Sequence, residues 1–144
     1  MDEVDRIFVS INSQRGIGSA VIACLYTGRD LPPHCAPMPR LPKPVSGMIL
    51  DESFPFVLAR TIESNPAVHD GAIMIGRRPG TLPYHVVGWS YRLYPPRGPR
   101  KGEPNRGSAF NSCLAMSSVE TIDRVYLISR GGLFRFERNV VKKF

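Results

Sequence analysis

The sequence lacks several features that would assign it at once to a large class of proteins. It has only three cysteines, Cys24, Cys35 and Cys113, and no C-x-x-C pair, so it indicates neither a disulfide framework nor a zinc site. Its three histidines are scattered at positions 34, 69 and 85. No apolar run approaches the roughly 18 residues of a membrane span, and the acidic start "MDEVD" is unlike a signal peptide. We therefore expect a cytoplasmic protein with reduced thiols and no membrane contact.

What the sequence does contain is typical of one globular domain. Its 144 residues, 42% hydrophobic and 22% charged, suffice for one core, and we predict a single domain over residues 1–144. The formal net charge of +7 favours an anionic partner such as a nucleotide or a nucleic acid. The sign of the charge does not choose between these two.

Proline is concentrated in two segments. Six of the 14 prolines lie in residues 30–44 and four in residues 94–104. Proline cannot donate to a strand ladder or continue a helix. The sequence therefore predicts proline-rich loops at residues 30–47 and 94–106.

Outside these loops, the spacing of apolar residues predicts alternating strands and helices. The N-terminal segment, residues 1–13, fits helical spacing and strand alternation equally well. The remaining pattern predicts strands at 18–28, 71–76 and 81–94, helices at 51–64 and 107–118, and a final hairpin in which "RVYLIS" and "LFRFER" flank Gly131-Gly132. This order predicts an α/β (or α+β) domain with a central mixed β-sheet flanked by helices.

The strand at 81–94 carries four aromatic residues, Tyr84, Trp89, Tyr91 and Tyr94. Single aromatic residues on strands are usually part of the core, so we expect at least half of the four to be buried. The others are candidates for stacking on a base.

The segment "NPAVHDGAIMI", residues 65–75, places a histidine and an aspartate directly before Gly71-Ala72. In this order of elements it resembles an asparagine-x-x-x-histidine-aspartate-glycine-alanine segment of the diadenylate cyclase domain. That domain occurs in DNA-integrity scanning proteins and in membrane-linked cyclases, and it makes cyclic di-AMP from two ATP molecules. "GIGSAVIACLYTG", "GSAFNSCLAMSSVE" and "RVYLISRGGLFRFERN" resemble three further blocks, so the resemblance spans residues 14–140 and implies a diadenylate-cyclase-like fold.

The resemblance gives Asp70 a candidate role in catalysis. In the family this carboxylate lies at the ribose 3′-hydroxyl and the metal, so the resemblance implies a catalytic Asp70 that binds Mg²⁺ or Mn²⁺. Gly71 and Ala72 would let the nucleotide approach the backbone closely. Without the resemblance, Asp70-Gly71 reads as an ordinary turn before a strand, and His69 as a structural residue that at most lines the site.

A second block departs from the family pattern. Where the family has glycine-threonine-arginine-histidine-arginine, this chain has Gly107, Ser108, Ala109, Phe110 and Asn111. Cations that grip the phosphates are worth several orders of magnitude in phosphoryl transfer, so their replacement predicts a non-catalytic member. The family's metal-binding glutamate falls on Ser118, and Glu120 matches only after a shift of two residues. We still expect Gly107, Ser108 and Asn111 to contact a bound nucleotide.

The loop at 94–106 offers replacement cations. Arg97, Arg100, Lys101 and Arg106 precede the helix at Gly107, and Arg77-Arg78 supply two more cations in a turn. One interpretation is that the loop reaches the phosphates together with the free N–H groups at the helix start. The other is a solvated basic loop.

Three functions remain open from the sequence. The preferred one is a nucleotide or cyclic-dinucleotide sensor without catalysis, as is thought for degenerate relatives in prokaryotic conflict systems, with an effector either fused or separate. The second is an active diadenylate cyclase, which in this family requires two domains face to face and hence a homo-oligomer. The third is a basic nucleic-acid-binding or scaffold protein that uses residues 92–106.

Overall fold

A computed structural model describes residues 1–14, 20–80, 83–97 and 102–144. In chain order its elements are α1 (Glu3–Gln14), β1 (Val21–Thr27), β2 (Cys35–Pro37), α2 (Phe54–Ser64), a 3-10 turn (Pro66–His69), β3 (Ala72–Arg77), β4 (His85–Leu93), α3 (Ser108–Met116), β5 (Ile122–Ser129), β6 (Gly132–Glu137) and β7 (Val140–Lys143). Together they form one α+β domain, as the sequence predicts. Within the described ranges, no helix has the length and apolarity that a membrane span requires.

The strands form a single mixed sheet in the order β2-β4-β3-β1-β5-β6-β7. β1 and β3 are parallel, because the chain crosses over through α2 between them, and the other neighbours are antiparallel. β1 is at the centre of the sheet, and five of its seven residues are buried. The predicted central mixed sheet is confirmed.

Helices cover both faces of the sheet. Along β1, alternate side chains point to opposite faces. Val21, Ala23 and Leu25 join the cluster under α1 and α2, whereas Cys24 and Tyr26 join the cluster under α3. Because helices cover both faces of the sheet, loops can form clefts at the two ends of the parallel strands β1 and β3.

The ambiguous N-terminal segment is a helix. Ile7, Phe8 and Ile11 are buried on one side of α1, and the Phe8 ring stacks on Tyr126 with centroids 4.1 Å apart. The backbone N–H of Asp5 donates to the Asp2 carboxylate at 2.9 Å, and the Asp2 N–H donates back to Asp5 at 3.2 Å. This reciprocal cap, together with the buried face, favours the helix over the strand alternation.

The sequence pattern did not predict two short edge strands, β2 and β7. β2 lies inside the predicted loop at 30–47 and pairs with the end of β4, and an edge position tolerates its proline, Pro37. β7 lies in the basic C-terminal tail and pairs with β6. The remaining predicted strands and helices are confirmed with ends shifted by a few residues, although positions 18–19, 81–82 and 98–101 of these predictions lie outside the described residues.

All three cysteines are free thiols. Burial raises the pKa of Cys24 to about 12 and also raises the pKa of Cys113. Cys35 on β2 is only half-buried. Cys24 and Cys113 therefore act as small core residues rather than as reactive groups.

Candidate functional site

A cleft of about 370 Å³ opens where β3 begins and β4 ends, beside the first turn of α3. Its lining comprises Ile22, Met38, Asp70, Gly71, Ala72, Tyr91, Arg92, Leu93, Ser108, Ala109 and Ser112. The structure thus brings four of the predicted site residues together, since Asp70, Gly71, Ala72 and Ser108 all line this one space. We refer to it as the Asp70 cleft.

Asp70 presents an exposed carboxylate to this cleft. It follows the 3-10 turn and its own N–H donates to the Ala67 carbonyl at 3.1 Å, while 69% of its side chain is exposed. Its carboxylate pairs with Arg40, whose Nη2 is 3.3 Å from Oδ2. Arg40 is held in turn by hydrogen bonds to the carbonyls of Ala67 at 3.1 Å and Pro39 at 3.2 Å. The guanidinium of Arg40 is therefore anchored at the cleft before any ligand binds.

The glycine after Asp70 is required by the backbone. Gly71 has a φ of +85°, and a Cβ there would lie 2.9 Å from both the Ser90 carbonyl carbon and the Tyr91 carbonyl oxygen. Ser90 itself has a φ of +57° and its hydroxyl donates to the Val68 carbonyl at 3.0 Å. Glycine is therefore required here because the turn lies in close contact with an irregular β4. The sequence interpretation had explained Gly71 by the approach of a ligand instead.

Ala72 forms part of the floor of the Asp70 cleft. It is fully buried, and it is opposite Ile22 of β1 and Tyr91 of β4. All three line the cleft, so its base is apolar. The polar groups are around the rim.

The start of α3 supplies Ser108 to the opposite wall. Gly107 precedes the helix and makes no side-chain cap, so the first N–H groups of α3 need partners outside the helix. Ser112, one turn beyond Ser108, lines the cleft as well. Helical spacing from Ser108 was the signal that could have predicted this second hydroxyl.

Asn111 does not line the Asp70 cleft. Its amide accepts from the N–H of Glu103 at 2.9 Å and donates to the Glu103 carbonyl at 3.0 Å. Both polar atoms therefore hold the preceding loop onto α3, a different environment from the one that the sequence predicted. Phe110 is buried against Phe134 and Phe136.

Of the four cations predicted from loop 94–106, the two that the structure describes, Arg97 and Arg106, are not in the cleft lining either. Arg106 pairs with Glu103 at 3.3 Å and its guanidinium stacks over the Phe110 ring at 4.7 Å. Arg97 is exposed, and Arg100 and Lys101 lie outside the described residues.

Two other arginines lie in or beside the Asp70 cleft, and the sequence interpretation assigned neither to the nucleotide site. Arg92 of β4 lines the cleft and contacts the Tyr94 ring from 5.9 Å. Arg40 lines an adjoining groove of about 520 Å³ between residues 37–46 and β4, which shares Met38 and Tyr91 with the cleft and also contains Lys43.

The remaining candidates are outside the cleft. His69 instead lines a cavity of about 10 Å³ under α2, roughly the space of one water molecule. Ser118 donates to the Ala115 carbonyl, and the Glu120 carbonyl accepts from Arg138. Of the four aromatic residues on the 81–94 segment, Tyr84 and Trp89 are buried and Tyr94 is 54% exposed, which confirms that half belong to the core.

The donors of the Asp70 cleft do not by themselves fit a resident divalent ion. Mg²⁺ and Mn²⁺ take six or so oxygen ligands, and within the described ranges no three His, Cys, Asp or Glu side chains are grouped to hold a metal. Asp70 supplies one carboxylate, which already pairs with Arg40. It fits only an ion whose other ligands come from phosphates and water, so Mg²⁺ or Mn²⁺ at Asp70 stays a prediction.

Comparison with known proteins supports the fold. No family model and no curated protein matches the sequence. Among similar solved structures, a hypothetical membrane spanning protein from Bacillus cereus gives a TM-score of 0.60 at 12% identity, covering 99% of this chain and 59% of that one. DacA from Staphylococcus aureus, as a double mutant, gives a TM-score of 0.55 at 13% identity, covering 98% of this chain and 83% of that one.

DacA is a diadenylate cyclase, and the fold of this chain is diadenylate-cyclase-like. At 12% and 13% identity, the likeness extends to the fold alone. The chain spans 59% of the length of the Bacillus cereus protein.

Proposed function

We propose that this domain binds a purine nucleotide or a cyclic dinucleotide in the Asp70 cleft and acts as a sensor or sequestering module. The observation that carries the proposal is the meeting of Asp70, Gly71 and Ala72 with the first turn of α3 in one cleft. These segments are 35 or more residues apart in sequence, and they belong to two of the four segments in which the chain resembles the cyclase family.

The size and charge of the site suit such a ligand. The cleft of about 370 Å³ adjoins a groove of about 520 Å³, and each is in the usual range for small-molecule sites. Arg92, Arg40 and Lys43 supply positive charge around an apolar floor. Phosphates would then interact with the arginines and with the N–H groups of α3, and the base with Tyr91 or Leu93.

The same geometry favours binding over turnover. Ala109 has no charge to offer, Phe110 packs into the core, and Asn111 holds the loop. None of the three can stabilise charge that develops on a transferring phosphoryl group, and this is the main work of such enzymes. The Asp70 carboxylate also pairs with the Arg40 guanidinium, so a metal at Asp70 would have to compete with this ion pair.

The proposal is tested by calorimetric titration with ATP and with cyclic di-AMP at matched salt, followed by product analysis. We expect saturable binding without product, and binding about tenfold weaker in Arg92→Ala, because a hydrogen bond to a charged group contributes roughly 1.5–3 kcal/mol. Arg130→Ala, an exposed arginine in the β5–β6 turn, is the matched control and should bind normally.

Each remaining outcome contradicts the proposal in a different way. Cyclic di-AMP formed by the wild type and lost in Asp70→Asn would establish the cyclase instead. No binding of either nucleotide, together with sequence-independent binding of DNA that weakens steeply with salt, would favour the nucleic-acid-binding interpretation.

A further inference from the structure

The opposite end of the parallel strands holds a second cleft, remote from Asp70. It measures about 380 Å³ and is formed by residues 26–31, by residues 76–78 and by the start of β4. These segments follow the carboxyl ends of β1 and β3, which are parallel neighbours. In open sheets with parallel strands, ligands bind in the crevice beyond these ends. The two clefts share no lining residue.

The second cleft has an excess of positive charge. Its lining includes Arg29, Arg77, Arg78 and His85, against a single acid, Asp30. Arg29, Arg78 and His85 are exposed, so their side chains can approach a ligand without rearrangement of the core. The sequence interpretation had considered Arg77-Arg78 only as cations for the Asp70 region.

Arg77 is held rigidly in this cleft. Its Nε donates to the Thr27 hydroxyl at 2.9 Å, and its guanidinium lies over the Tyr84 ring at 4.4 Å. Asp123 accepts from both Thr27 and Tyr84 and is 3.8 Å from Arg77. Asp123 thus orients Arg77 through Thr27 and Tyr84. Because Asp123 is 3.8 Å from the arginine, it neutralises the guanidinium only partly.

A tyrosine hydroxyl also reaches this cleft. Tyr26 is 3% exposed and lies against Gly76, where a Cβ would be 2.7 Å from its Oη; both residues line the cleft. Among the described residues, no hydrogen bond to the Tyr26 hydroxyl is present, so it can donate to a ligand in the cleft. Burial raises the pKa of Tyr26 to about 12, so it remains a neutral donor.

We propose that this cleft is a second binding site, for the phosphate group of a small phosphorylated molecule. Arg29 and Arg78 contact the oxyanion from the rim, Arg77 contacts it from a fixed position, and the Tyr26 hydroxyl donates from the base. Guanidinium groups and a neutral phenol are the donors that a phosphate dianion prefers. The inference does not rest on the function of the Asp70 cleft.

The test is calorimetric titration with inorganic phosphate, pyrophosphate and ribose 5-phosphate. We take the probe that binds the wild type most tightly and measure its affinity for the variants. We expect its affinity to fall at least about tenfold in Arg29→Ala/Arg78→Ala and several-fold in Tyr26→Phe. Stronger binding of the sugar phosphate indicates a metabolite, whereas pyrophosphate or phosphate indicates the free ion. Arg60→Ala/Arg130→Ala removes the same charge from other exposed positions and should leave binding unchanged.

Three results would overturn the inference. The first is an equal loss of binding in the Arg29→Ala/Arg78→Ala variant and in its charge-matched control, which would show that binding depends only on the net charge of the protein. The second is loss of pyrophosphate binding in Arg92→Ala, which would place the ion in the Asp70 cleft. The third is binding of none of the three probes, or only of nucleic acid with a steep salt dependence.

Discussion

Replacing Asp5 with asparagine is expected to lower the free energy of unfolding by about 3 kcal/mol. Asp5 is 1% exposed and accepts hydrogen bonds from Arg135 at 2.8 Å and Tyr126 at 2.7 Å, which join α1 to β5 and β6. Breaking a buried ion pair from one side costs about 3–5 kcal/mol, because the other charge stays without its partner. Arg135 keeps 21% of its side chain exposed, so the low end of that range applies.

Urea denaturation at neutral pH measures this loss, with Asp2→Asn as the control. Asp2 is half exposed and pairs with Arg124, and such pairs contribute about 1 kcal/mol or less. A change of under about 1 kcal/mol in Asp5→Asn as well would show that the network does not hold α1 in place.

Acid should reproduce part of the same loss in the wild type. Burial raises the pKa of Asp5, but hydrogen bonds from Tyr126 and Arg135 outweigh it and hold the pKa below 3.8. A carboxylate with a lowered pKa stabilises the fold fully above its unfolded pKa, and this contribution is lost as the pH falls through the folded value. The stability of Asp5→Asn should therefore fall less between about pH 5 and pH 2 than that of the wild type.

Replacing Gly71 with alanine should cost about 3 kcal/mol or more. The positive φ alone costs about 1–2 kcal/mol for an L-residue with a Cβ, and the new methyl group would also lie 2.9 Å from the backbone of β4 and 2.7 Å from Met38 Cε. Neither the turn nor the strand can yield freely, because Ser90 ties β4 to Val68. Thermal or urea unfolding of the purified variant measures the cost.

Gly47→Ala separates the two causes of the stability loss expected in Gly71→Ala, backbone strain and steric overlap. Gly47 has a φ of +95°, but nothing lies within 4 Å of a Cβ built there. It should therefore show the cost of backbone strain without steric overlap, and be the milder of the two. Equal losses in both variants would mean that the Asp70 turn can move away from β4, and would weaken the case for a preformed cleft.

The parts of the fold that the sequence predicted are those fixed by local patterns. α2 has a proline in its first turn and an amphipathic face, β1 and β3 are apolar runs between turn residues, and Gly131-Gly132 marks the final hairpin. β2 and β7 were missed because an edge strand is stabilised by its neighbour rather than by its own residues, so proline or lysine can occupy it.

The candidate site was predictable in its centre but not around its rim. Asp70-Gly71-Ala72 and Ser108 followed from family-like segments, and the structure places all four in one cleft. Arg40 is 30 residues from Asp70, and only the tertiary fold shows that the two meet. The same holds for Asn111, because the sequence does not reveal that the backbone of the loop residue Glu103 hydrogen-bonds to both the oxygen and the nitrogen of its side-chain amide.

The most direct test of nucleotide binding in the Asp70 cleft is to map the amide resonances of the ¹⁵N-labelled protein during titration with ATP and with cyclic di-AMP. We expect saturable shifts at residues 70–72, 91–93 and 108–112, with the strands β5 to β7 unaffected. Shifts confined to the loop at 94–106, or spread evenly over the basic surface, would contradict a nucleotide site in the Asp70 cleft.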